Sequence, residues 1–95
     1  MKPRIRQQRH WDVTRHLVGL QINLLREAHG WSMEELAEKA MCSVAVVDAL
    51  ERGNLQRASL AVLERLAAAF DVAILVRFEG FQAYWPKAFE EEENP

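Results

Sequence analysis

Residues 32–53, SMEELAEKAMCSVAVVDALERG, constrain the fold more than any other stretch of the chain. They read as two short helices joined by a tight turn. Ser32 is an N-cap, and Glu35 three residues later completes a capping box. Leu36, Ala37 and Ala40 are spaced to face inward from the first helix, and Met41-Cys42 forms the turn. Ser43 caps the second helix, which runs through Arg52 with Val47 and Leu50 facing in and Gly53 closing it.

The flanking sequence supplies partners for both. A helix starting near Asp12 or Thr14, both good N-caps, is expected to run to about residue 29, with Gly30 as its stop. Val13, Leu17, Leu20, Leu24 and Ala28, with Val18, Ile22 and Leu25 alongside, predict a wide buried face. Residues 54–58 form a loop and Ser59 caps a fourth helix, whose core stripe is Leu60, Leu63, Leu66, Ala67 and Phe70. After Asp71 the period changes. Val72, Ile74, Val76 and Phe78 alternate with Ala73, Leu75, Arg77 and Glu79, the pattern of a β-strand. The fold class expected is mainly α: four helices followed by one C-terminal strand.

That strand needs a partner, because backbone donors and acceptors on an unpaired apolar edge invite pairing. Glu79-Gly80 could turn the chain so that residues 81–85 return as a hairpin. Alternatively, residues 72–78 pair with the same segment of a second copy in a two-fold dimer. Pro86 and the bulky Tyr84-Trp85 make a poor return strand, which favours the homodimer, with Val72, Ile74, Leu75, Val76 and Phe78 as dimerisation residues. The expected organisation is a basic flexible arm (residues 1–11), a helical domain (12–71), a strand and dimerisation segment (72–89) and a disordered acidic tail (90–95).

Ninety-five residues, 49% of them apolar, suit one compact core and not two. No run of about 18 apolar residues exists to span a membrane, so no membrane partner is expected. The basic N-terminus lacks the apolar stretch of a secretory signal. A lone cysteine, Cys42, leaves no internal disulfide and no metal-ligand pattern, in keeping with a reduced, cytoplasmic setting. The net charge of −2 is unevenly placed. Residues 1–26 carry +5, residues 27–70 carry −3 and residues 71–95 carry −4, which sets a basic arm against an acidic tail.

Four segments together, LLREAHGWS (24–32), EELAEKA (34–40), SVAVVDALERG (43–53) and SLAVLERLAAAFDV (59–72), resemble the Cro/repressor-type helix-turn-helix family, often called XRE-like. The family includes bacterial and phage regulators and antitoxins, and the likeness covers roughly residues 19–72. The trailing DVAILVRF (71–78) is similar to members that dimerise by pairing this strand between subunits. The resemblance implies an Arg26–Glu51 ion pair tying the first helix to the third. It also makes residues 43–49 a recognition helix that enters the major groove. Its outward positions would be Ser43, Val44, Ala45, Asp48 and Ala49, with Val46 partly inward. Met33 stands where the family most often has a Gln contacting phosphate. Met41 stands where a turn glycine is usual, and a left-handed backbone there would cost about 1–2 kcal/mol.

Two functions follow from these residues. In the first, the chain is a DNA-binding transcriptional repressor or antitoxin-type autoregulator acting as a homodimer on double-stranded DNA. Val and Ala methyl groups would then meet thymine methyls, and Asp48 would accept from a cytosine amino group. Arg52, Arg57 and Lys39, with Arg4, Arg6 and Arg9 of the arm, would supply cations for phosphates or the minor groove. In the second, Val44, Ala45, Val46 and Ala49 form an apolar patch for a protein partner such as a toxin, a polymerase subunit or a second regulator. His10, His16 and His29 are not spaced for a shared metal. Cys42 is expected as a packed thiol, Trp31 as a cover on the core edge, and Trp11 and Trp85 in packing. No catalytic constellation stands out, and no cofactor is implied.

Overall fold

The computed structural model describes residues 5–78. They form four helices in chain order: α1 (Ile5–Ala28), α2 (Met33–Ala40), α3 (Val44–Glu51) and α4 (Leu60–Phe70). α2 and α3 are two turns each, too short to persist alone, and they hold because each buries an apolar face against its neighbours. α1 packs on α3, and α2 packs on both α3 and α4. Leu36, Val47 and Leu50 are fully enclosed at the centre, ringed by Ile22, Ala37, Ala40, Leu66, Ala67 and Phe70.

Local hydrogen bonds set the helix starts. Ser32 Oγ accepts from Glu35 N at 3.0 Å, and the Glu35 carboxylate accepts from Ser32 N at 2.8 Å, closing the capping box. The hydroxyls of Ser43 and Ser59 accept from Val46 N and Val62 N in the same way. Met41 and Asp71 end their helices in the left-handed region, with φ of 54° and 59°. Aspartate tolerates that conformation far better than methionine does.

Two expectations for the first helix are corrected. It begins at Ile5 and not near residue 12, so residues 5–11 are helical and Arg6 and Arg9 do not belong to a flexible arm. Arg and Gln are good helix formers, and no Gly or Pro separates Ile5 from Asp12. Asp12 therefore does not cap the helix but accepts from Arg15 Nε at 3.2 Å.

The second correction is rotational. Leu17, Leu20 and Leu24, expected inside, are about half exposed. The side turned to the core carries Val18, Gly19, Ile22 and Leu25. Gly19 explains the rotation. A Cβ built there would lie 2.6 Å from the Leu50 carbonyl oxygen and 2.8 Å from that of Glu51. The missing side chain lets the α1 backbone come down on the last turn of α3, which fixes which of two apolar stripes faces in. In α4 a smaller revision applies, since Leu60 of the expected stripe lies exposed in the first turn.

Residues 72–78 have no strand partner among the described residues and carry no regular structure. Leu75, Val76 and Phe78 are exposed there, and Ile74 is half-buried. Arg4, the possible return segment 81–85 and the tail 90–95 lie outside the described residues.

Candidate nucleic-acid interface

The unit built from α2, the Met41–Ser43 turn and α3 sits on the surface with its connections satisfied. Its turn closes through Cys42 N donating to Ala37 O at 3.0 Å. The Arg65 guanidinium of α4 donates from Nε to Ala40 O at 3.0 Å, tying the end of α2 to the helix behind it. Sequence reasoning missed Arg65, because nothing in its spacing separates a clasp on a helix end from a solvated cation. The Cys42 thiol packs against the core, and burial pushes its pKa up although the Arg65 charge opposes this.

α3 is held most firmly at its C-terminal end. Arg26 Nε donates to Glu51 Oε2 at 2.7 Å, and Arg26 Nη2 donates to Oε1 at 3.1 Å, a two-point guanidinium–carboxylate contact. Asn23 Nδ2 also donates to Oε1 at 3.0 Å, and Arg26 Nη1 reaches the Trp31 carbonyl at 2.8 Å. The Glu51 side chain is 5% exposed. The hydrogen bond to Glu51 holds the Arg26 pKa above its ordinary value, against the opposing effect of burial. Arg15 Nη1 donates to Gly53 O at 3.3 Å, so α1 grips the chain just beyond α3 as well. Gly19, Asn23 and Arg15 were not singled out from sequence. The one available signal was a glycine inside a helical apolar pattern, which usually has a packing reason.

The outward surface of α3 is chemically plain. Val44 and Ala45 are exposed in its first turn, and Val46, Asp48 and Ala49 are half-buried. Ser43 Oγ is engaged as a cap acceptor, which leaves its hydroxyl hydrogen free to donate outward. Arg52 Nη2 donates to Asp48 Oδ2 one turn back, so the carboxylate is partly neutralised by its own helix. Asp48 Oδ1 takes no part in that bond and keeps its acceptor capacity.

The remaining site candidates are scattered. Arg57 is exposed in the loop after α3, and Arg9 is exposed near the start of α1 with Arg6 half-buried. Lys39 lies with its ammonium 4.8 Å from the centre of the Trp31 ring, a cation–π contact. Met33 opens α2 half-buried against the core and offers no polar group to a phosphate. Trp31 stacks on Phe70 with ring centres 5.8 Å apart and covers the core edge. His16 and His29 each bond a carbonyl of α1 at 2.8 Å. The described residues contain no group of three or more His, Cys, Asp or Glu side chains able to hold a metal. No helix among them is long and apolar enough to cross a membrane.

The surface thus joins a two-helix unit to a few peripheral cations. The helix-turn-helix family model matches residues 22–76, more than half of the chain. The HTH-type transcriptional regulator SinR of Bacillus subtilis is 33% identical over 58 residues, covering 61% of this chain and 52% of its own length. SinR of Bacillus licheniformis matches to the same extent. The competence pilus inhibition repressor of Acinetobacter baylyi is 37% identical over 57 residues, 60% of this chain and 51% of its own. The chain spans about half the length of the curated relatives it matches. No solved structure matches it. The matched segment takes in the last two turns of α1 and all of α2, α3 and α4, and the chain belongs to the helix-turn-helix family.

Proposed function

We propose that this chain is a DNA-binding transcriptional regulator, a repressor in mode, that acts in the cytoplasm as a homodimer through residues 72–78. The observation that carries the proposal is the placement of α3. Its first turn, with Val44 and Ala45, is exposed at the surface, while its far end is locked to α1 through Arg26 and Glu51. A helix presented this way can enter a major groove as a rigid body. Two copies related by a two-fold axis would read half-sites roughly 34–36 Å apart on a partly palindromic operator. Its relatives, a repressor and HTH-type transcriptional regulators, support the same function.

Under this proposal the methyl groups of Val44 and Ala45 contact thymine methyls, while Arg52, Arg57, Lys39, Arg6 and Arg9 contribute phosphate contacts. Arg6 and Arg9 do so from a helix and follow the backbone instead of threading a minor groove. Binding to duplex DNA at two or more salt concentrations tests it, with a log–log slope of about −0.9 expected per phosphate neutralised. Arg52→Ala and Arg57→Ala should each flatten that slope by about one contact. No binding at low salt overturns the proposal.

A second function is supported by the apolar surface of α3, where Val44 and Ala45 are exposed and Val46 and Ala49 half-buried. That apolar patch suits a protein partner such as a toxin or a second regulator. The same titration separates the two: a protein-docking module binds no duplex at any salt.

A further inference from the structure

α1 carries an apolar stripe that the fold does not use. Val13, Leu17, Leu20 and Leu24 recur at intervals of four, three and four residues, which places them on one helix face. Leu17, Leu20 and Leu24 remain 47%, 50% and 55% exposed. Alongside lies an open groove of about 350 Å³, lined by Asp12, Val13, His16, Leu17 and Leu20. Three half-exposed leucines in a row on a single helix are a contiguous apolar face, unlike the isolated apolar residues of an ordinary surface.

The second unused apolar surface is residues 72–78, and the two are joined at one end. α4 ends with the Phe70 ring 5.8 Å from Trp31 and 5.6 Å from His29, so the chain leaves α4 beside the C-terminal end of α1. Seven extended residues reach about 23 Å. The stripe from Leu24 back to Val13 is about 17 Å long. The extended segment is therefore long enough to run the length of the stripe.

A two-stranded ribbon is marginal in water unless a face of it packs on a helix. A stable interface takes about 20–30 residues from each partner, and the segment 72–78 supplies only seven. We infer that the stripe Leu17, Leu20 and Leu24 is covered by a second copy of this chain, as the helical half of the same interface that pairs residues 72–78. The inference rests on the homodimer proposed above and adds to it the surface on which the paired segments lie.

Leu20→Cys tests it in the full chain, with Leu24→Cys as a second variant and Gln56→Cys in the exposed loop after α3 as a control. Each is labelled with a neutral maleimide across a dilution series while sedimentation velocity follows the dimer and circular dichroism follows the fold. Peptide mapping separates the introduced thiol from Cys42. In the dimer, labelling at positions 20 and 24 should be about tenfold or more slower than in the monomer, as for a thiol reached only by opening, with position 56 unaffected. A dimer in which positions 20 and 24 label as fast as in the monomer overturns the inference and leaves the homodimer standing. Slow labelling at every dilution, monomer included, overturns it in favour of cover by the chain's own remaining residues. A protein that never dimerises overturns both.

Discussion

Gly19→Ala should destabilise this protein, although alanine is the better helix former. The substitution sits mid-helix in α1, where propensity alone favours alanine by about 1 kcal/mol. Against that, the new Cβ would lie 2.6 Å and 2.8 Å from two backbone carbonyl oxygens of α3. A carbon normally approaches a carbonyl oxygen to no closer than about 3.3 Å, so α1 must lift by roughly half an ångström or more. Backbone atoms have no rotamer to escape into, and overpacking of this kind costs about 1–3 kcal/mol. The lift also stretches the Arg26–Glu51 and Asn23–Glu51 hydrogen bonds, which cross the same contact. The propensity gain is outweighed, and the net loss is about 1–2 kcal/mol, or about 4–16 °C in Tm for a domain of this size. Urea denaturation followed by circular dichroism reads it directly, with Gln21→Ala on the exposed face as the control. A Gly19→Ala protein as stable as the wild type would show that α1 and α3 do not meet at this backbone contact.

Met41→Gly should act in the opposite direction. The residue is held at φ 54° with its side chain mostly exposed, so relief of about 1–2 kcal/mol of backbone strain outweighs the added chain entropy of glycine. The expected gain is about 0.5–1 kcal/mol, read as a higher urea midpoint at constant slope. Glu51→Gln leaves Arg26 without its counter-charge in a largely enclosed site and should cost about 3 kcal/mol or more, measured the same way. Glu35 provides a pH test. Its carboxyl is held below the ordinary value first by the Ser32 backbone N–H and then by the Ser32 hydroxyl, while slight burial opposes and Lys39 assists. A depressed folded-state pKa gives stability that is present above the unfolded value and disappears as pH falls through the folded one. The thermal midpoint should therefore decline below about pH 4.5 less steeply in Glu35→Gln than in the wild type. Parallel curves would remove the capping box from the acid response.

The parts of this fold legible in the sequence are those decided locally. Ser32, Ser43 and Ser59 each accept from an N–H three residues ahead, and a chain reader sees both ends of that bond. The inward residues of α2 and α3 followed from spacing, because each helix has one apolar face. α1 has two, and the more leucine-rich one points outward. Which face turns in is decided by the fit of Gly19 to α3, a contact between residues about thirty positions apart. The start of α1 was misplaced for a related reason. Asp12 is a good N-cap, but its carboxylate also serves as a partner for Arg15 inside a longer helix. Lys39 shows the limit for the candidate site. Its charge is visible in the sequence, whereas its place over Trp31 depends on how the loop after α1 folds back.

The geometry of α3 bears on where sequence discrimination would arise if the chain reads DNA as proposed. The helix is fixed at its C-terminal end by Gly19, Asn23 and Arg26, so little binding energy is spent on ordering it. Yet its exposed turn offers methyl groups, and its outward carboxylate, Asp48, is already paired with Arg52. Contacts of this kind favour thymine without the two-point hydrogen bonds that are worth about 1–3 kcal/mol each in base selection. A single copy would then bind with modest preference and a strong salt dependence. Free energies of two half-sites add, so preference ratios multiply when two such helices are held rigidly at one spacing. Selectivity in that case resides less in α3 than in whatever fixes the distance between two copies of it. In the proposed homodimer that distance depends on how residues 72–78 and the stripe on α1 are covered. If Leu20 lies in that dimer contact, Leu20→Ala should cost operator preference more than it costs affinity for random duplex, although Leu20 is not part of α3.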